Sequence, residues 1–200
     1  MFFSSALVRE YGRGGSILYQ SLLEDSRFID LLLKLDADLA AEARETGCEC
    51  GGTLHSARYR RKPRGGPDTL GSGTNVRFSF CCAREGCRRR VTPPSPRFLG
   101  RKVFFGIVVL LVPVLRDGPS PTRLRRLSEH LRVSDKTVRR WVRFWRETFA
   151  TSRTWQAARG FFATPVKTEA MPVSLVDAFS HISDLQGRMA AVLSMVSATG

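Results

Sequence analysis

The stretch LRRLSEHLRVSDKTVRRWVRFW, residues 124–145, decides how this chain is read. Leu124, Leu127 and Leu131 recur at three- and four-residue steps, the spacing of one face of a helix. Upstream, Ser120-Pro121 sets a side-chain acceptor before a proline at the first helical position, where the missing N–H costs nothing. Arg132-Val133 makes a turn, with Val133 pointing inward. Ser134 caps a second helix whose apolar stripe is Val138, Trp141, Val142 and Trp145. Helices over 121–131 and 135–149 are expected. Lys136, Thr137, Arg139, Arg140 and Arg143 fall on the other face of the second helix.

A helix anchored by one face and cationic on the other suits the major groove of duplex DNA. Lys136, Thr137 and Arg140 are the candidates for base edges. Ser134, Arg139, Arg143 and the first-helix pair Arg125 and Arg126 are the candidates for phosphate. A basic helical hairpin with a solvated face would share the charge. The turn chemistry around VSDKTVRRW favours a recognition helix, and Trp141 and Trp145 are core residues on either reading.

The charge is distributed in keeping with this. The chain carries 32 Lys+Arg against 18 Asp+Glu, a net charge of +14. Residues 58–146 hold 23 basic and 5 acidic side chains, a net of +18, whereas residues 1–57 come to −4. A polyanionic partner is expected, nucleic acid before membrane. Arg outnumbers Lys 27 to 5, which suits phosphate and guanine but would also follow from a GC-rich genome.

Five cysteines lie just upstream, in two knots: CECGG (Cys48, Cys50) and CCAREGC (Cys81, Cys82, Cys87). Leu54–Tyr59 and Val76–Phe80 read as strands between them, joined through a Gly-rich tip. Two tight turns facing each other can supply the four soft donors of a tetrahedral zinc ion. A β-unit of this size buries too little apolar surface to fold unaided, so Zn2+ would supply much of its stability. The expected ligands are Cys48, Cys50, Cys82 and Cys87, with Cys81 or His55 as the alternative fourth ligand. A cysteine nucleophile needs a neighbouring general base, and the chain offers only His55, His130 and His181.

VSDKTVRRW resembles the helix-turn-helix of bacterial regulators and transposases, and residues 48–149 resemble the zinc-ribbon plus helix-turn-helix front end of insertion-sequence transposases. CGGTLH, RKPRG and FCCAREGCRRRVTPPSPRFLGR are also similar to a group of bacterial proteins described as hypothetical or transposase-like. The resemblance implies DNA binding, a zinc-shaped ribbon and a link to mobile elements.

The expected fold class is α+β and mostly helical, with a small β zinc ribbon inserted between an N-terminal amphipathic helix and a helical helix-turn-helix domain. The expected divisions are a flexible arm (1–15), an amphipathic helix region (16–46) that is either one helix or a pair broken near Asp25-Ser26, the ribbon (47–92), the helix-turn-helix domain (100–150) and a helical tail (151–200). Pro93, Pro94 and Pro96 form a hinge. Val103–Leu115, 13 apolar residues interrupted by Pro113, is too short to span a bilayer and reads as a buried helix. A tail helix over 173–197 carries a stripe from Leu175 to Val196, either completing the core or forming a homodimer. The tail acids Glu169, Asp177 and Asp184 fall short of the carboxylate triad and sheet of a transposase catalytic domain, so no enzyme activity is expected. No small-molecule substrate is expected either. The expected location is the cytoplasm, with the nucleoid.

Overall fold

The computed structural model describes residues 21–22, 25–60, 74–99, 103–104, 111, 114–116, 118 and 120–197. The expected arm 1–15 and the hairpin tip lie outside these residues. The chain is α+β and mostly helical, with small antiparallel sheets.

Helix α1, Ser26–Thr46, starts where the Asp25 carboxylate accepts the Arg27 N–H at 2.9 Å, and it ends at Gly47, whose φ is +77°. Strands β1 (Leu54–Ser56) and β2 (Tyr59–Arg60) run antiparallel to β4 (Phe80–Cys82) and β3 (Val76–Arg77). The register is continuous: Leu54 faces Cys82, Ser56 faces Phe80, Tyr59 faces Arg77 and Arg60 faces Val76. The Ala57 N–H to Ser79 carbonyl bond bridges the gap between the two ladders. β5, Arg90–Val91, adds a third strand beside β4.

Strands β6 (Phe98–Leu99) and β7 (Val103–Phe104) form a further antiparallel pair. The apolar segment expected as a buried helix from Val103 therefore opens as a hairpin strand. Residues 105–110 and 112–113 of that segment are not described. Leu111 and residues 114–116 are helical, and Leu111 is fully buried.

Two helices follow, α2 (Pro121–His130) and α3 (Asp135–Arg143). Past Arg143 the helix continues to Phe149 as a π-helix rather than the expected α-helix. Trp141, Trp145 and Phe149 recur every four residues and all are buried. An α-helix would let that spacing drift about 40° per step round its axis, and the wider turn takes up the drift. The single tail helix expected over 173–197 is instead three pieces after α4 (Arg153–Ala158): α5 (Val173–Ala178), an irregular link, and α6 (Leu185–Ser197). The Asp184 carboxylate accepts the Gly187 N–H at 2.6 Å, so a local side-chain bond starts α6 afresh.

The described residues form two cores. The larger joins Phe28, Ile29 and Leu32 of α1 to the α2–α3 pair, the aromatic row Trp145–Phe149–Trp155 and the tail. Leu175, Val176, Met189, Val192, Leu193 and Val196 are buried in it, so the tail's stripe packs within its own chain. The smaller contains Ala40, Cys48, Leu54, Phe80 and Cys82. α1 runs through both. Between them its Asp36 carboxylate accepts from Arg97 Nε and Ser95 Oγ, each at 2.7 Å, with Asp36 and Arg97 both 1% exposed. Arg97 also donates to the carbonyls of Thr74 (2.7 Å) and Val76 (3.0 Å), tying α1 and the proline segment to the hairpin.

Candidate metal centre and cationic helix face

The two cysteine knots become two tight turns at one end of the β1–β4–β5 sheet. In the first, the Gly51 N–H donates to the Cys48 carbonyl (2.7 Å) and the Cys48 N–H to the Gly52 carbonyl (3.2 Å). Gly51 has φ +77°, a conformation glycine adopts without steric cost. In the second, the Cys87 N–H donates to the Arg84 carbonyl at 3.1 Å, with Gly86 at φ +81°. The turns bring the sulfurs of Cys48, Cys50, Cys82 and Cys87 within 4.8 Å of one another.

Cys48 Sγ lies 3.7 Å from Cys87 Sγ, and Cys50 Sγ 3.5 Å from Cys82 Sγ. A disulfide would need about 2.05 Å. A zinc ion with sulfurs at about 2.3 Å in a tetrahedron sets its sulfurs about 3.8 Å apart. The four thiols have the spacing of a coordination shell, and they could hold a metal ion.

Backbone amides turn toward the sulfurs. The Cys50 amide bonds Cys48, the Gly52 amide bonds Cys50, and the Arg84 amide reaches Cys82 Sγ at 3.4 Å. The Gly52 amide, with the neighbouring thiols, holds the Cys50 thiol down at about 6. The Arg84 amide acts to lower Cys82 as well, but burial and the other three thiols outweigh it and push that thiol up to about 12. One sulfur ionises readily and another resists, the mutual repulsion that a bound cation removes. Gly52 is also a steric requirement. A Cβ there would lie 2.6 Å from Cys82 Sγ and 3.3 Å from Cys50 Sγ.

Strand alternation separates the two adjacent cysteines. Cys82 faces the small core with Leu54 and Phe80. Cys81 lies on the opposite face, near the Arg88 carbonyl at 3.5 Å and across from His55. His55 is exposed, and neither it nor Cys81 joins the cluster.

At the α2–α3 pair, Ser120 Oγ accepts the Arg123 N–H and Ser134 Oγ the Thr137 N–H, both at 3.3 Å. Between the helices Arg132 adopts φ +51°, and the Val133 N–H reaches the Ser128 carbonyl at 3.0 Å. A hydrogen bond from Ser128 Oγ to Asp135 Oδ1 links the two helices directly. Leu124, Leu127, Leu131, Val138, Trp141 and Trp145 are buried between them, as the periodicity requires.

Ser134, Lys136, Arg139, Arg140 and Arg143 are exposed together on α3, and Arg125 and Arg126 on α2. Thr137 is half-buried and engaged locally, with Ser134 Oγ at 3.0 Å and Arg140 Nη2 at 3.5 Å. Arg125 and Arg143 have loose ion pairs with Glu129 (4.0 Å) and Glu147 (3.7 Å), exposed contacts that contribute little.

Sequence reading missed the buried Asp36–Arg97 pair. A signal was present: Phe28, Leu32, Asp36 and Ala40 recur every four residues, which sets Asp36 on the apolar face of its helix. Burial raises the Asp36 carboxyl above the ordinary aspartate value, outweighing the lowering by Arg97 and Ser95.

Compared with known proteins, the chain matches no family model, no curated relative and no solved structure. Among the described residues no helix is long and apolar enough to cross a membrane.

Proposed function

We propose that this chain is a zinc-containing DNA-binding protein that reads duplex DNA with α3. The observation that carries the reading is the division of α3 into two faces. Val138 and Trp141 are buried against α2, while Lys136, Arg139, Arg140 and Arg143 stand in solvent. Ser134 caps the end of the helix that a groove-reading element inserts first. Lys136, Thr137 and Arg140 address base edges, and Ser134, Arg139, Arg143, Arg125 and Arg126 hold the phosphates.

The four-cysteine cluster takes zinc on this reading, because four thiolates at tetrahedral spacing are a soft donor set. The metal's role is structural: all four positions belong to protein sulfurs, which leaves none for water or substrate. The unit around it is a zinc ribbon inserted between α1 and the helix-turn-helix. The biological role that fits is transcriptional regulation or service to a mobile element, including as the targeting subunit of a transposase whose catalytic domain lies on another chain.

The test is equilibrium binding of the full chain to duplex DNA and to a structured RNA, each competed by the other. Duplex DNA is expected to win, and Lys136→Ala/Arg140→Ala to weaken its binding selectively. RNA displacing DNA, with Arg140→Ala no more damaging than Arg60→Ala, would make this an RNA-binding ribbon instead.

A further inference from the structure

We propose that the outer face of the β1–β4–β5 sheet is a second contact for the duplex phosphate backbone, with Arg88 and Arg90 as its phosphate-binding residues. The inference rests on the DNA-binding reading above and adds a surface that neither the recognition helix nor the metal accounts for.

The sheet has one face committed to folding. Leu54, Phe80 and Cys82 turn toward Ala40 at the end of α1 and toward Cys48. Strand alternation then sends the neighbouring residues outward. His55, Cys81 and Arg90 form one cross-strand row on that outer face, His55 and Arg90 both exposed. Arg88 is also exposed, on the turn that leads into β5, with φ +45°.

The three consecutive arginines 88–90 are not equivalent. Arg89 forms an ion pair with Glu49. Arg88 and Arg90 have no carboxylate within ion-pair reach among the described residues. The Arg90 guanidinium lies over the Tyr59 ring, 5.4 Å from its centroid, which restrains the fork and reduces the entropy lost on meeting an anion. From Cys82 to Val91 there is one carboxylate, Glu85, against four arginines. Both cations are therefore exposed and available to an anion, and Arg90 is already partly ordered by Tyr59.

The chemistry selects phosphate of a duplex over the bases of a single strand. Guanidinium forks match phosphate oxygens in pairs. Single strands are held by open aromatic platforms, and the ring of Tyr59 already has Arg90 over it.

The experiment is fluorescence anisotropy of the full, metal-containing chain on a random-sequence duplex, with the dissociation constant measured across a salt series. Each phosphate contact contributes about 0.9 to the slope of log affinity against log salt. Arg88→Ala/Arg90→Ala is expected to flatten that slope by roughly 2 with metal content unchanged. Arg153→Ala/Arg159→Ala, which removes two exposed charges from α4 and the turn that follows it, is expected to leave it unaltered. An unchanged slope in the first pair, or an equal change in both, overturns the proposal. So does a loss confined to single-stranded RNA. Failure of the unmodified chain to bind any duplex would instead overturn the DNA-binding reading.

Discussion

Gly52→Ala is the sharpest probe of the cysteine cluster. The new methyl carbon would sit 2.6 Å from Cys82 Sγ, 2.9 Å from Arg84 Cβ and 3.3 Å from Cys50 Sγ. Ordinary contact begins near 3.5 Å, so the first of these is about 1 Å too close. Gly52 does not occupy the left-handed region, so the cost is steric and not conformational. Overpacking of this kind costs about 1–3 kcal/mol. Arg84 Cβ must give way as well, but the closest atom is a sulfur of the proposed metal shell, so part of the cost falls on the metal-bound state. Metal affinity should fall by about 5- to 150-fold. The assay is competition for zinc against a chromophoric chelator, accompanied by the ligand-field spectrum of the cobalt-substituted protein. Gly51→Ala is the companion. Its φ of +77° strains an alanine, but no atom lies within 4 Å of the new carbon. It should weaken the fold by about 1–2 kcal/mol and leave the cobalt spectrum as in the unmodified chain. Gly52→Ala should change that spectrum. If Gly52→Ala binds zinc as tightly as the unmodified chain with an identical spectrum, the four sulfurs are not a coordination shell.

Further predictions separate the ligands, the helix cap and the buried pair. Cys81→Ser should keep full metal content in native mass spectrometry, whereas Cys87→Ser should lose most of it. Ser134→Ala removes the acceptor for the Thr137 N–H and should cost about 1 kcal/mol in thermal or denaturant unfolding. The raised carboxyl of Asp36 gives a defined sign. Above the ordinary aspartate value of 3.8 the unfolded chain has released this proton while the folded chain retains it, so the carboxyl's contribution to stability declines as pH rises toward its folded value. Denaturation midpoints of the unmodified chain, compared with Asp36→Asn across that interval, should show the decline only in the former. A difference of opposite slope would mean that Arg97 dominates over burial.

The parts of this structure that were legible in the sequence are those fixed by neighbours in the chain. The caps at Ser120 and Ser134, the inward Val133 and the stripes on α2 and α3 are set within a few residues, and each falls where local chemistry puts it. The composition of the cysteine cluster needed one non-local fact, the register that sets Leu54 opposite Cys82 and His55 opposite Cys81. Once the register is known, alternation decides between adjacent cysteines. Asp36 and Arg97 are 61 residues apart, and Arg97 sits in a proline-rich segment with no periodicity, so nothing local announces its burial. The break between α5 and α6 was hidden for the opposite reason. The apolar stripe runs on at helical spacing across it, and a single carboxylate, Asp184, restarts the helix.

The central claim is that α3 reads a base sequence. It is tested most directly by selecting bound molecules from a pool of random duplex DNA, using the metal-containing chain and its Lys136→Ala/Arg140→Ala variant in parallel. The unmodified chain should enrich a motif that the variant loses, while the variant retains salt-sensitive, sequence-indifferent binding. Recovery of no motif from the unmodified chain, or of the same motif from both, would contradict it.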